Sequence, residues 1–128
     1  MSGLGLRGAK AQTTYPKEAK MLIVHKVALE AVTALRPLAV MIRRQDKSLA
    51  DQLRRAASSM VLNTAEAEYS DPGNSRARLH SAAGSANETV AALEVALAWR
   101  YIEADAATEA LALLDRVKAL LWRLNHRR

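Results

Sequence analysis

The chain has 128 residues, a formal net charge of +6, no cysteine and no phenylalanine. A chain of that length makes one domain, with enough interior to fold without staples, and the missing thiols exclude disulfides, zinc–thiolate sites and cysteine nucleophiles. Alanine (26 residues) and leucine (18) dominate over five glycines and three prolines, so strong helix formers with few breakers predict an all-α domain.

Residues 1–16 hold three of the glycines and end at Tyr15-Pro16. They read as a flexible, basic N-terminal arm ahead of a bundle domain at 17–128. The first helix is expected from Lys17 to Arg44, with Met21, Val24, Ala28, Ala31, Leu35, Leu38 and Ile42 at spacings of three and four and with Leu22, Leu29 and Val32 widening the stripe. Pro37 inside this pattern predicts a kink. Ser48, with Asp51 three residues on, reads as the N-cap of a second helix, Leu49–Tyr69, whose seam is Leu49, Leu53, Ala56, Met60, Asn63 and Ala67. Residues 70–75 are turn formers throughout and predict a loop. A third helix, Arg76–Tyr101, carries Leu79, Ala83, Ala86, Val90, Leu93 and Leu97, and a second face of Ser81, Ser85, Glu88, Ala92 and Ala96. A fourth, Asp105–Asn125, carries Ala107, Ala110, Leu114, Val117, Leu121 and Leu124, with Leu113 and Leu120 beside them. Four such helices with short turns imply an antiparallel, up-down-up-down four-helix bundle. The extra stripe on the third helix reads as a surface for oligomerisation.

No run reaches the ~18 apolar residues of a membrane span, and the first residues lack the apolar stretch of a signal peptide. The expectation is a cytoplasmic protein with no membrane partner. No Glu precedes a His by three residues, as di-iron bundles require. His25, His80 and His126 are scattered, and Gly73 and Gly84 stand alone rather than in a phosphate loop. No catalytic, metal or cofactor constellation is legible, which reads as a non-enzyme without a cofactor.

Charge is more informative. Residues 1–60 carry a net +7 and the remainder −1, while everything from Arg116 onward holds five cations and no acid. Arg7, Lys10 and Lys17 in the N-terminal region, and Arg116, Lys118, Arg123, Arg127 and Arg128 at the C-terminus, are the candidate contacts to RNA or DNA, because they have few acidic neighbours to occupy them. The competing reading is that these cations are solvated helix flanks. Trp99, Tyr101 and Trp122 are expected to pack in the core or an interface rather than stack on bases.

Two segments carry a resemblance. Gln52-Leu53-Arg54-Arg55-Ala56-Ala57-Ser58-Ser59, followed by Asn63-Thr64-Ala65-Glu66-Ala67, resembles the Q-L-R-R-A-A-x-S…N-I-A-E-G pattern of the bacterial four-helix-bundle family also called the 23S rRNA intervening-sequence proteins. This family includes the accessory variability proteins of diversity-generating retroelements. Gly84-Ser85-Ala86-Asn87-Glu88, with Leu93 beyond, is similar to that family's G-S-x-x-E…L. Val61 and Ala67 stand where the family pattern has Pro and Gly. The resemblance implies a homopentameric barrel of four-helix bundles. In its retroelement branch it implies a reverse transcriptase and nucleic acid as partners; the alternative is an interaction module of the intervening-sequence type with no nucleic-acid role. It also implies structural or interface roles for Gly84 and Ser85, which would admit a neighbouring helix. Arg54 and Arg55 would reach across a bundle or subunit contact towards Glu66 or Glu88. Ala92 and Ala96 are the expected interface positions.

Overall fold

The computed structural model of the protein describes residues 16–126. Four helices follow one another: α1 (Lys17–Gln45), α2 (Lys47–Glu68), α3 (Pro72–Ala98) and α4 (Ala104–His126), with no strand among the described residues. Each helix packs on its neighbours in sequence, and α1 also packs on α4, which closes the four into a bundle. The α2–α3 contact is the most extensive.

The seams expected for α1 and α4 are the ones that become buried, with Val27 added to α1. In α2 Leu49, Leu53, Met60 and Ala67 are buried as expected, but between them Ala57 and Thr64 turn inward where Ala56 and Asn63 were expected. The seven-residue repeat is kept, and the buried stripe lies on the other side of Leu53 and Met60. Leu53, Met60, Leu93, Leu114 and Leu121 form the centre. Buried alanines surround them (Ala28, Ala31, Ala50, Ala82, Ala86, Ala107), so the helices approach closely.

Pro37 does not break α1, which runs unbroken through it. The carbonyl it leaves without an N–H donor belongs to Thr33, and both residues face solvent, where water can replace the lost bond. The N-cap of α2 is Asp46 rather than Ser48: its carboxylate accepts from the Leu49 N–H at 3.0 Å. Helix α3 starts four residues earlier than expected. Asp71 caps it by accepting from the Asn74 N–H, and Pro72 takes the first helical position, where no donor is needed. The Asn74 backbone and side-chain bonds hold the Asp71 carboxyl below its ordinary value. Helix α3 ends early as well. Arg100 adopts a left-handed φ of 62°, and the Arg100 and Tyr101 N–H groups donate to the Leu97 and Ala96 carbonyls. This is a Schellman turn with arginine where glycine is usual.

Candidate interaction surfaces

The two signature segments meet across α2 and α3. Ser85 Oγ donates to Ser59 Oγ at 2.9 Å, and Asn63 Nδ2 donates to the Ser59 carbonyl and hydroxyl. Thr89 returns its hydroxyl proton to the Ser85 carbonyl at 2.7 Å. A polar seam thus runs through an otherwise alanine-rich contact, and each hydroxyl is hydrogen-bonded as buried polar groups require. The same principle fixes His25. Thr64 Oγ1 donates to the Val61 carbonyl at 2.7 Å, so the His25 Nδ1, 2.9 Å from that oxygen, must be the donor to it.

This arrangement corrects the reading of α3. Ser85, Ala92 and Ala96 are buried inside the chain, Ala96 fully. Their small side chains let α2 approach α3 within one bundle, and they are not a free surface for another copy. The exposed residues beside that face include Ser81, Gly84, Glu88, Ala91 and Val95, which lie one step around the helix. A Cβ built on Gly84 meets nothing within 4 Å, so no close approach inside the chain calls for glycine there.

Arg54 and Arg55 are exposed, and neither forms an ion pair among the described residues. Glu66 is taken instead by Arg78, at 3.1 Å. Arg55 and Glu88 line one cleft of about 560 Å³ between α2 and α3, beside Ser59 and Ala92, without pairing. Asp51 at the start of α2 is shared by Arg43 (3.5 Å) and Lys47 (3.8 Å).

Neither tryptophan packs in the core of the chain. Trp99 is 68% exposed and Trp122 61% exposed. Trp99 stacks on Tyr101, and Trp122 stacks on His126 with ring centroids 4.2 Å apart. The His126 Nδ1–H donates to the Trp122 carbonyl at 2.8 Å, which fixes the imidazole over the indole. The signal available in the sequence was the i, i+4 spacing of Trp122 and His126, which stacks two rings along a helix. Tyr101 is half-buried and reaches Asp46 with its hydroxyl at 3.4 Å. Burial, then the Asp46 charge and hydrogen bond, raise its phenol above the ordinary value.

Of the expected nucleic-acid contacts, Arg116 and Arg123 are exposed on α4, while Lys118 and Lys17 are half-buried. Arg7, Lys10, Arg127 and Arg128 lie outside the described residues, as does the proposed N-terminal arm. The Tyr101–Asp46 contact puts the start of α2 and the end of α3 at one end of the bundle. Among the described residues no group of three or more His, Asp or Glu could hold a metal ion, and no helix is long and apolar enough to cross a membrane.

The fold defines a small all-α, four-helix domain whose signature segments interlock across its second and third helices. The profile described as 23S rRNA-intervening sequence protein matches residues 20–123, and the chain belongs to that family. No curated protein matches it. A crystal structure of a protein of unknown function from the S23 ribosomal protein family of Bacteroides thetaiotaomicron VPI-5482 is similar, with a TM-score of 0.74 and 24% identity. The match covers 81% of this chain and 99% of that one, and at this identity the likeness concerns the fold.

Proposed function

We propose that this protein is a non-catalytic scaffold of the 23S rRNA intervening-sequence type that assembles with copies of itself and holds nucleic acid on its basic C-terminal helix. The observation that carries the nucleic-acid reading is the last two turns of α4. There an exposed indole is stacked on an imidazole, and the exposed Arg123 follows it in sequence. An aromatic face next to a cation is the arrangement on which single-stranded bases stack while the backbone is neutralised. Arg116, Lys118, Arg127 and Arg128 extend the cationic run, and Lys17 with the preceding Arg7 and Lys10 adds to it.

The assembly reading has the helices antiparallel and the bundles arranged as a pentameric barrel. Its support is that His25, early in α1, meets Thr64, late in α2, whereas Arg43, late in α1, meets Asp51, early in α2. Family membership and the unpaired charges of the α2–α3 cleft add to it. A retroelement setting would add a reverse transcriptase as partner, and the genes beside this one test that directly.

The experiment is binding of a fluorescent single-stranded oligonucleotide across a salt series, with circular dichroism as the folding check. Affinity should fall steeply between low and moderate salt. The Arg123→Gln, Arg127→Gln, Arg128→Gln triple variant should bind more weakly and with a shallower salt slope, by about one for each lost phosphate contact. Repetition of the site in an oligomer should amplify the loss through avidity. A parent protein that does not bind even at low salt overturns the nucleic-acid reading. A specific observation favours the second reading, a protein-interaction module without nucleic acid: Leu22, Leu29, Val40 and Leu62 are all about half exposed, or more, on α1 and α2.

A further inference from the structure

A groove of about 400 Å³ runs between α1 and α2 on the outside of the bundle. Its floor is apolar, with Val32, Ala39 and Leu53, and Arg36 and Arg54 stand on its two helices. Among the described residues no carboxylate lines it. Arg43, at its far end, is held by Asp51, but neither Arg36 nor Arg54 forms an ion pair among the described residues. Val40, 53% exposed, also lines the groove and adds to its apolar surface. A polyanion does not suit an apolar floor. The groove fits a helix that brings small or branched apolar residues with carboxylates beside them.

One such helix face is on this chain. The outer side of α3 presents Ala91 and Val95, flanked by Glu88 and Glu94, all exposed and with neither glutamate in an ion pair among the described residues. The heights also agree. Ser59 on α2 meets Ser85 on α3, and Glu66 meets Arg78, so positions on the two helices run in opposite directions. Arg54 therefore stands at about the level of Val90. From Val32 to Arg43 the groove is about 16 Å long at 1.5 Å per residue, and the stripe from Gly84 to Val95 has the same length and brackets the levels of the groove's α2 residues, Leu53 to Ser58.

We infer that the α1–α2 groove of one copy receives the outer face of α3 from a second copy, with Glu88 and Glu94 of that copy pairing with Arg36 and Arg54. This inference rests on the self-assembly reading and assigns its two surfaces. The contact joins two different surfaces, so it repeats from copy to copy and closes into a ring when the rotation allows. The equal heights keep the joined bundles side by side. Gly84 extends the docking stripe by two turns, and its missing Cβ, useless inside the chain, lets the neighbouring bundle come close. Guanidinium–carboxylate pairs over an apolar floor give such a contact its register.

Light scattering with circular dichroism tests the inference. The parent should have a molar mass several times the 14.0 kDa of one chain. The Arg36→Glu, Arg54→Glu variant should fall to the mass of one chain and keep its helical signal, because both residues are on the surface. Glu88→Arg, Glu94→Arg should do the same. The variant carrying all four substitutions restores opposite charges at every junction and should recover the parent's mass. An unchanged mass for Arg36→Glu, Arg54→Glu overturns this interface and leaves the assembly reading standing, whereas a monomeric parent overturns both. A fourfold variant that stays monomeric, when each double variant is monomeric and folded, overturns the pairing of these charges.

Discussion

The inner side of α3 and the outer side of the α1–α2 pair are both lined at helical spacing, yet they do opposite work. Ser85, Thr89, Ala92 and Ala96 vanish into the contact with the rest of the bundle, whereas Leu22, Leu29, Val40 and Leu62 remain open to solvent. Small residues let helices come together until little surface is left. Large ones on a second stripe have no place inside a four-helix bundle that already has its core. The face of α3 that looks least hydrophobic is therefore part of the core, while these four bulkier aliphatic residues stay open to solvent.

The sharpest way to break this comparison is Ala96→Glu. It places an unpaired carboxylate where exposure is zero and should cost about 3–5 kcal/mol, enough to abolish the cooperative melt followed by circular dichroism. Ala91→Glu, five residues away on the exposed side, should leave the monomer's melt almost unchanged.

Arg100→Gly should stabilise the chain by up to about 1 kcal/mol, because glycine adopts the left-handed φ without the Cβ clash. Urea unfolding measures it, and a loss of stability would mean that the arginine side chain makes a contact worth more than the strain. Gly84→Ala, in the monomeric Arg36→Glu, Arg54→Glu background, should add about 0.5–1 kcal/mol, since the new methyl meets nothing and a helix interior prefers alanine. The same substitution in the assembled parent should weaken assembly. Glu66→Gln breaks an ion pair about half exposed on both sides and should shift the urea midpoint by an amount near the limit of detection, under about 0.5 kcal/mol.

Most of the fold was legible because α1 and α4 bury one regular stripe each, and that stripe is visible as Leu, Val and Ala at spacings of three and four. Helix α3 was harder. Alanine and serine are neutral on a helix surface and equally suited to a tight contact, so the face carrying Ala92 and Ala96 read as a free surface until Ser85 was seen bonded to Ser59. The ends of α3 were misread for a different reason. A run of Ser-Asp-Pro-Gly-Asn-Ser has turn residues at every position, but Asp-Pro is also a helix start, and the capping bond from Asn74 decides between the two. The tryptophans went outward because the core is filled by small residues and leucines, which leaves no room for an indole. The polar cleft was legible only as two motifs; that Arg54 and Arg55 would lack a carboxylate partner among the described residues depends on Glu66 being nearer to Arg78, which spacing alone does not give.

Thiol labelling tests the central claim most directly, since the chain has no cysteine of its own and any single introduced thiol reports its own surroundings. Ser85→Cys and Ala96→Cys are compared with Arg44→Cys, an exposed position at the end of α1. The inner face of α3 being core, the first two should resist a maleimide in native buffer and react only in denaturant, while the third is modified at once. Native-state labelling of Ala96→Cys at the rate of Arg44→Cys, with the helical signal intact, would contradict the account and return that face of α3 to the surface.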